Sequence, residues 1–467
     1  MPMTEARLAR SVDLPAAGTV FLLGVAGAGM RALAAALRDR GCTVEGSDRD
    51  AAAAADLAER GIRLHPESEL AAVRHADLVV YSSALPPDHP ALAAARDAGV
   101  PTMKRARALG ALVNDRRLAA VAGTHGKTTV TTMLALAAEA AGLDPLALVG
   151  GRVAAWGGNC RLGAGELAVV EADEYDRSFL ELDPDLAIVT SIEPEHLDVY
   201  GDAAAMEAAF AEFVGRATRV LLCADDPGSV SLARAAAPGA AVRTYGFAAD
   251  AACRLEVVDA DRGGQSCRLY APEGTVPFQL GTPGAHNAQN AAAAFAAALW
   301  LGGDPGALAT ALADFRGADR RLQVLYESSD LVVVDDYAHH PTEIRAGIEA
   351  LRSAWPGRRL VLAFQPHLYT RTRDQAAGFA EALARADRGL VLPIYPAREA
   401  PIPGVTRDLI LTAGRRGLEP LEADDATALV HVDQPSVLAF MGAGDVTALA
   451  HEAARAAATG RADALGG

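Results

Sequence analysis

Residues 119–132 read Ala-Ala-Val-Ala-Gly-Thr-His-Gly-Lys-Thr-Thr-Val-Thr-Thr, and the rest of the chain is organised around them. A short apolar strand runs into Gly123, turns through Thr124, His125 and Gly126, and enters an Ala/Leu-rich helix at Lys127. The two glycines let backbone N–H groups converge on a phosphate, Lys127 adds a point charge, and the Thr128 hydroxyl offers a magnesium ligand. Gly123, Thr124, His125, Gly126, Lys127, Thr128 and Thr129 form a shortened variant of the phosphate-binding loop, with two residues between the glycines instead of the usual four. The competing reading is a plain strand-to-helix turn with a solvent lysine. The strand, turn and helix context favours the phosphate loop.

A length of 467 residues predicts about three domains. The net charge of −16 argues against a nucleic-acid partner, which needs a concentrated basic face. The five cysteines are scattered and show no metal-ligand spacing, which predicts reduced thiols. Glu5, Arg7, Arg10 and Asp13 break up the N-terminus, so it does not read as a signal peptide. The Ala-rich stretch 290–301 is too short to span a bilayer. A soluble cytoplasmic protein without membrane insertion is expected.

Working outward, residues 19–23 form a candidate buried strand followed by Gly24-Val-Ala-Gly27-Ala28-Gly29-Met30, a helix to Arg40, a second strand and Asp48. This is the start of a dinucleotide-type fold, with an acid about twenty positions after the glycines. By itself it suggests a nicotinamide-dependent dehydrogenase. Its glycines stand as G-x-x-G-x-G, however, which changes which amides face a pyrophosphate. A strand at 77–81 ends in Ser82 and Ser83, which are either ligand hydroxyls at a carboxyl edge or a capped turn.

After the phosphate-loop helix, strands at 167–170, 186–190 and 220–223 end in polar residues, the first two in acidic runs containing Glu171 and His196. Glu171 is a natural magnesium ligand beside Thr128. By spacing alone His196 reads as a helix cap or a core histidine. Residues 250–283 alternate as a small antiparallel excursion. Asn287 and Asn290 open a long alanine helix, where an Asn is ordinarily a cap, although amides three apart also suit a purine. Strands at 331–334, 360–364 and 437–441 then end in Asp335-Asp336-Tyr-Ala-His339-His340, Gln365-Pro-His367 and Gly442-Ala-Gly444. The pattern predicts an α/β chain of three doubly wound units: a Rossmann-like N-terminal domain (1–110), a central P-loop ATPase-like domain with a parallel-rich sheet (111–317), and a Rossmann-like C-terminal domain (318–467).

Taken together, these motifs resemble the Mur ligases in kind and order, from Gly24–Met30 through Gly123–Thr129, Glu171-Ala-Asp-Glu174, His196-x-Asp198, His286–Asn290 and Asp335–Pro341 to Phe364–His367. Within the family they are most similar to the branch that joins L-alanine to UDP-N-acetylmuramate with ATP in peptidoglycan synthesis. The resemblance implies that Gly24, Gly27, Ala28, Gly29, Met30, Asp48, Ser82 and Ser83 hold the UDP-sugar. It implies ATP on the phosphate loop, with Asn287 and Asn290 at adenine and Arg321 and Asp336 reaching in from a closing third domain. Mg²⁺ falls to Thr128, Glu171 and His196. Catalytic roles fall to Lys127, His196, His339, His367 and Arg371, in a monomer or weak homodimer. Ala26, Tyr175, Glu195 and Leu368 depart from the family's usual residues. Two rivals remain beside the dehydrogenase: a ligase attaching a recovered peptide to the same sugar nucleotide, and a binding module that uses ATP as a switch.

Overall fold

Three separate sheets carry the chain in a computed structural model. It describes residues 14–465 apart from 262, 263, 314, 316, 318, 398, 415 and 416, so Glu5, Arg7, Arg10 and Asp13 lie outside the described residues. The first sheet contains β1 (Thr19–Leu23), β2 (Thr43–Ser47), β3 (Arg63–Leu64), β4 (Leu78–Tyr81) and β5 (Thr102–Lys104), in the order β3-β2-β1-β4-β5. Every neighbouring pair is parallel. That is the doubly wound order, with β1 at the centre and its carboxyl end at the point where the strand order reverses. Helix α1 (Ala28–Asp39) follows β1 and buries Met30, Leu33 and Leu37. Helix α2 (Arg105–Val113) follows β5.

The second sheet begins with β6 (Arg117–Ala122), whose last five residues are fully buried, as expected of a strand covered on both faces. Helix α3 (Lys127–Ala140) leaves the phosphate loop and packs ten buried residues, including four threonines. Two of those hydroxyls are satisfied inside the helix, Thr131 donating to Lys127 O and Thr132 to Thr128 O, each at 2.8 Å. The sheet continues through β7 (Leu146–Val153), β8 (Gly158–Arg161), β9 (Leu167–Glu171), β10 (Leu186–Val189), β11 (Arg219–Cys223), β12 (Ala241–Gly246), β13 (Cys253–Asp261), β14 (Gly264–Ala271) and β15 (Gly274–Leu280). Its order is β15-β14-β13-β12-β11-β10-β6-β9-β7-β8. β6 therefore lies between β9 and β10, parallel to both, and their carboxyl ends flank the phosphate loop. Two residues join β14 to β15, a link only antiparallel strands accommodate, in line with the excursion expected there. Helix α4 (Ala285–Trp300) follows.

The third sheet holds β16 (Gln323–Glu327), β17 (Leu331–Asp336), β18 (Arg359–Phe364), β19 (Arg388–Val391), β20 (Leu418–Pro420) and β21 (Ser436–Met441), in the order β16-β17-β21-β18-β19-β20. Only the β16–β17 pair is antiparallel. Helices α5 (Pro341–Ala354), α6 (Tyr369–Leu383) and α7 (Val446–Leu465) connect or follow these strands. β17 runs two residues further than its apolar run suggests, because Asp335 and Asp336 are paired inside the sheet.

The contacts divide the chain into two compact units. The first holds Met1–Glu256, Arg268–Phe278 and Gln289–Leu312; the second holds Val257–Cys267, Gln279–Ala288 and Ala313–Gly467. Inside the first unit the initial sheet is tied to the central one. Asn159 donates to Ala28 O (2.6 Å), Arg60 donates to Gly157 O (2.9 Å), and Lys104 pairs with Asp176 (2.8 Å). All five cysteines are free thiols. Among the described residues no helix is long and apolar enough to cross a membrane.

Gly110 lies inside α2, where a Cβ would overlap the Glu181 carbonyl oxygen. Alanine ordinarily gains about 1 kcal/mol over glycine within a helix. Gly110→Ala is nevertheless expected to destabilise the protein by roughly 1–3 kcal/mol, from overpacking at a backbone contact. Urea unfolding checks this, and unchanged or raised stability would remove the close approach.

Candidate active site

Lys127 opens α3 directly after Gly126, whose φ of +80° is open to glycine at little cost. A Cβ at Gly126 would lie 2.6 Å from Asn290 Oδ1, so this turn is doubly closed to side chains. The loop is clamped to the segment after β10. Thr124 N donates to Ser191 O (2.8 Å), His125 N to Ser191 Oγ (3.1 Å), Thr190 Oγ1 to His125 O (2.5 Å), and Glu193 N to Thr124 Oγ1 (2.9 Å). These bonds spend the flanking groups on holding the loop's shape.

The Lys127 ammonium donates to Gly123 O (2.6 Å) and to Glu174 Oε1 (3.0 Å), with Glu174 Oε2 at 2.9 Å. Glu174 is 2% exposed. Burial pushes its carboxyl up to about 7 against the attraction of Lys127. Burial also opposes the lysine's charge, but Glu174 and Asp173 outweigh that and hold Lys127 well above the usual lysine value. Beside this pair, Thr128 Oγ1 donates to Glu171 Oε1 (2.9 Å) and Gly150 N to Glu171 Oε2 (2.6 Å).

His196 has φ +54°, and its carbonyl accepts from Val199 and Tyr200, so its backbone does open a short helix. Its ring is not in the core. Nε2 lies 3.8 Å from Glu174 Oε1 and 4.0 Å from Glu195 Oε2, and ligand atoms of Glu174, Glu195 and His196 fall within 4.8 Å of one another. Two of the departures from the family pattern therefore belong to this cluster: Glu195 supplies one of its acids, and Tyr175 meets the His196 ring edge-on at 5.1 Å. The side chain of Asp198 lies outside the described residues. These two carboxylates and one imidazole suit a divalent cation, and Thr128 with Glu171 forms a separate hydroxyl–carboxylate pair of hard oxygen donors.

Of the two amides on α4, Asn290 stands against Gly126. Asn287 is not a cap: it sits inside the first turn, 7% exposed, and its Nδ2 donates to Pro283 O at 2.8 Å. In the first sheet, Gly24 has φ +83° and its N donates to Ser47 O, while Gly27 and Ala28 are exposed at the start of α1. Asp48 shapes this loop, since Oδ2 accepts from Ala26 N (2.8 Å) and Oδ1 from Asp50 N (3.0 Å). Ser82 lies beside Gly24, and Ser83 is exposed. Met30 corrects the expectation drawn from the sequence. Its side chain is 1% exposed within the core, which leaves only backbone for a ligand. Arg105 carries no sequence signal, yet it stands at Gly29, where a Cβ would lie 2.9 Å from its Nη1, and 3.8 Å from Asp173.

In the second unit Asp336 is held by Leu322 N and Ala338 N, both at 2.7 Å, and burial pushes its carboxyl up to about 6. Arg321 lies 3.9 Å from Glu343, and the guanidinium groups of Arg320 and Arg321 lie 4.7 and 5.1 Å from the centre of the Tyr337 ring. Tyr337 meets His339 edge-on at 5.1 Å, and His339 lies 6.2 Å from His367. His367 stacks on Tyr395 at 14° and has Arg371 Nη1 3.4 Å from its Nδ1. His339, His367 and Arg371 thus lie in one cluster, with Tyr337 and Tyr395 beside them. Tyr337 was within a recognised motif, as Glu174 was within another. Tyr395 was not, because only an isolated bridge to His367 brings it in.

This geometry, a phosphate loop with a buried lysine–carboxylate pair and acids at neighbouring strand ends, defines a nucleotide-dependent enzyme of doubly wound domains. Three family models match in succession: the Mur ligase family catalytic domain over residues 19–117, the Mur ligase middle domain over 121–298, and the Mur ligase glutamate ligase domain over 320–457. The chain belongs to the Mur ligase family. It is 44% identical over 444 residues to the UDP-N-acetylmuramate–L-alanine ligase of Paenarthrobacter aurescens, covering 93% of this chain and 96% of that protein. It is 45% identical over 452 residues to the same-named ligase of Kineococcus radiotolerans, covering 93% and 95%. Among solved structures, the UDP-N-acetylmuramate–alanine ligase of Thermotoga maritima matches with a TM-score of 0.80 at 26% identity, over 95% of this chain and 100% of that one. A murein peptide ligase from Psychrobacter arcticus shares the fold, with a TM-score of 0.69 at 24% identity over 94% and 98%.

His286, just ahead of Asn287, is lowered to about 4, first by burial and then by Arg321. A depressed histidine is neutral when folded and takes up a proton on unfolding, so its contribution is present above about pH 6.5 and is lost as pH falls toward 4. His286→Gln is expected to flatten that acid limb by roughly 1–3 kcal/mol, read from urea unfolding between those two pH values. A variant with the wild-type limb would show that His286 does not titrate this way.

Proposed function

We propose that this chain joins L-alanine to the lactyl carboxylate of UDP-N-acetylmuramate with ATP, giving ADP and phosphate in peptidoglycan precursor synthesis. The observation that carries this is the near-full-length identity with UDP-N-acetylmuramate–L-alanine ligases. The carboxylate is a poor acyl donor because oxide is a bad leaving group. Transfer of the ATP γ-phosphoryl group makes it an acyl phosphate. The amine of L-alanine attacks that carbonyl, and phosphate leaves as the amide forms.

Each group has a task in this reading, with the chain divided into sugar-nucleotide (1–110), ATP (111–317) and closing (318–467) domains. The amides of Gly123–Thr129 cradle the phosphates, and Lys127 turns from its own loop carbonyls to the transferred group, where positioning and charge neutralisation count for most. Asn290, with Asn287, Arg321 and Asp336, positions the nucleotide. The exposed start of α1, with Gly24, Asp48, Ser82 and Ser83, takes the UDP-sugar, and Arg105 at Gly29 supplies a cation for its diphosphate. Thr128, Glu171 and His196 would hold Mg²⁺, which when bound neutralises phosphate charge. His339, His367 and Arg371 orient the amino acid and the tetrahedral intermediate. The enzyme works in the cytoplasm as a monomer or weak homodimer.

The test incubates the protein with ATP, Mg²⁺, UDP-N-acetylmuramate and L-alanine, and follows phosphate release together with the mass of the sugar nucleotide. A gain of one alanine residue is expected. A gain only with a short peptide in place of L-alanine would move the chain to the peptide-adding activity. Phosphate release independent of both substrates would favour an ATP switch. Lys127→Ala is expected to lower kcat by at least about a thousandfold, the scale of removing a main charge stabiliser. Full turnover by that variant would refute the phosphate-loop assignment.

A further inference from the structure

A cavity of about 710 Å³ adjoins the sugar-nucleotide loop at Ala28 and extends between α1, the Asp56–Glu59 turn and the tip of the β7–β8 hairpin. Its volume falls within the range of small-molecule sites. Four arginines (31, 38, 60 and 152) line it against two aspartates (39 and 56). A local excess of positive charge is unexpected on a chain with net charge −16. Arg31 is spent on Asp56, with Nη1 at 2.8 Å, and Arg60 donates to Gly157 O. Arg38 is exposed, and its guanidinium has no hydrogen-bond or ion-pair partner among the described residues. Trp156, half-buried, lines the same cavity.

The walls of this cavity also touch the reaction centre. Asn159, at the hairpin, donates to Ala28 O (2.6 Å) in the sugar-nucleotide loop, and Arg31 Nε donates to Ala26 O (2.9 Å) in the same loop. At the other end of the hairpin, Gly150 N holds Glu171 Oε2 (2.6 Å). A ligand seated against the tip therefore bears on both the loop and the acid.

We infer that this cavity is an effector site for a nucleoside monophosphate, with the base against Trp156 and the phosphate on Arg38 and Arg152. The aromatic wall favours a planar ring, and a guanidinium fork suits a phosphate. This goes beyond the ligation reading, and its binding arm requires no turnover, so the two stand or fall separately.

The probe is guanosine monophosphate, whose base matches neither substrate nucleotide. It is titrated by calorimetry into the full chain saturated with ADP and UDP-N-acetylmuramate. Saturable binding with a Kd below about 1 mM is expected, weakened at least about tenfold in Arg38→Glu/Arg152→Glu. The double variant should keep its melting temperature, its affinity for UDP-N-acetylmuramate and its basal turnover. In wild type the bound probe should shift the KM for UDP-N-acetylmuramate by about fivefold or more. No saturable binding, equal binding by the variant, or an unchanged KM at saturation would each overturn the inference. So would loss of UDP-N-acetylmuramate affinity in the variant, which would assign the cavity to the substrate site.

Discussion

The ammonium of Lys127 and the carboxylate of Glu174 face one another at 2.9–3.0 Å in a place nearly closed to water. Taking either charge out of water alone would cost several kcal/mol, so each is tolerable there only because the other is present. The elements around them are arranged to keep both in position. β6 delivers the lysine through a turn that only glycine fits at Gly126, and the turn after β9 carries the acid inward just ahead of Asp176 and Arg177, both at positive φ. Tyr200 ties down the Glu174 carbonyl at 2.6 Å. In this arrangement the lysine's other donors go to its own loop, at Gly123 O and Thr124 O. Phosphate oxygens would replace those carbonyls, so the loop is built around a cation already in place.

The departures from the family's usual residues are local and sort by backbone as much as by side chain. Ala26 stands outside the positive-φ region and uses only its backbone, accepting from Arg31 and donating to Asp48, so a methyl group there is no burden. Leu368 is different, with φ +71° on a branched side chain. That strain is held by bonds on both sides: its N–H donates to Tyr395 O, and its carbonyl accepts from Thr372 N and Thr372 Oγ1. Strained backbone of this kind persists only where the surroundings over-determine it, and here the neighbours are His367 and Tyr395.

Much of this protein could be read from the chain itself. Local patterns dictated the strand–loop–helix units, because an apolar run that ends in glycines or acids before a periodic helix has few ways to fold. They also marked most of the chemistry, from the Gly-Thr-His-Gly-Lys-Thr loop to the acids after β9, since phosphate recognition depends on residues adjacent in sequence. Alternation around residues 250–283 announced the strands there. Spacing alone left His196 open between cap and core; its backbone opens a helix while its ring joins Glu174 from another strand end and its own neighbour Glu195.

What spacing could not supply is whatever depends on two distant segments meeting. The pairing of Lys127 with Glu174, Arg105 at Gly29, and Tyr395 on His367 each join residues from different strand ends or from different sheets. Met30 shows the converse, where a residue inside a binding motif turns into the core because the helix's apolar face claims it. The sequence by itself determined the order of elements, the phosphate loop and the kind of chemistry, since these rest on local backbone geometry and on residue types. The tertiary structure alone decided which charges are buried together and which side chains the core withdraws, because burial and pairing arise only when sheet order brings separate strands side by side.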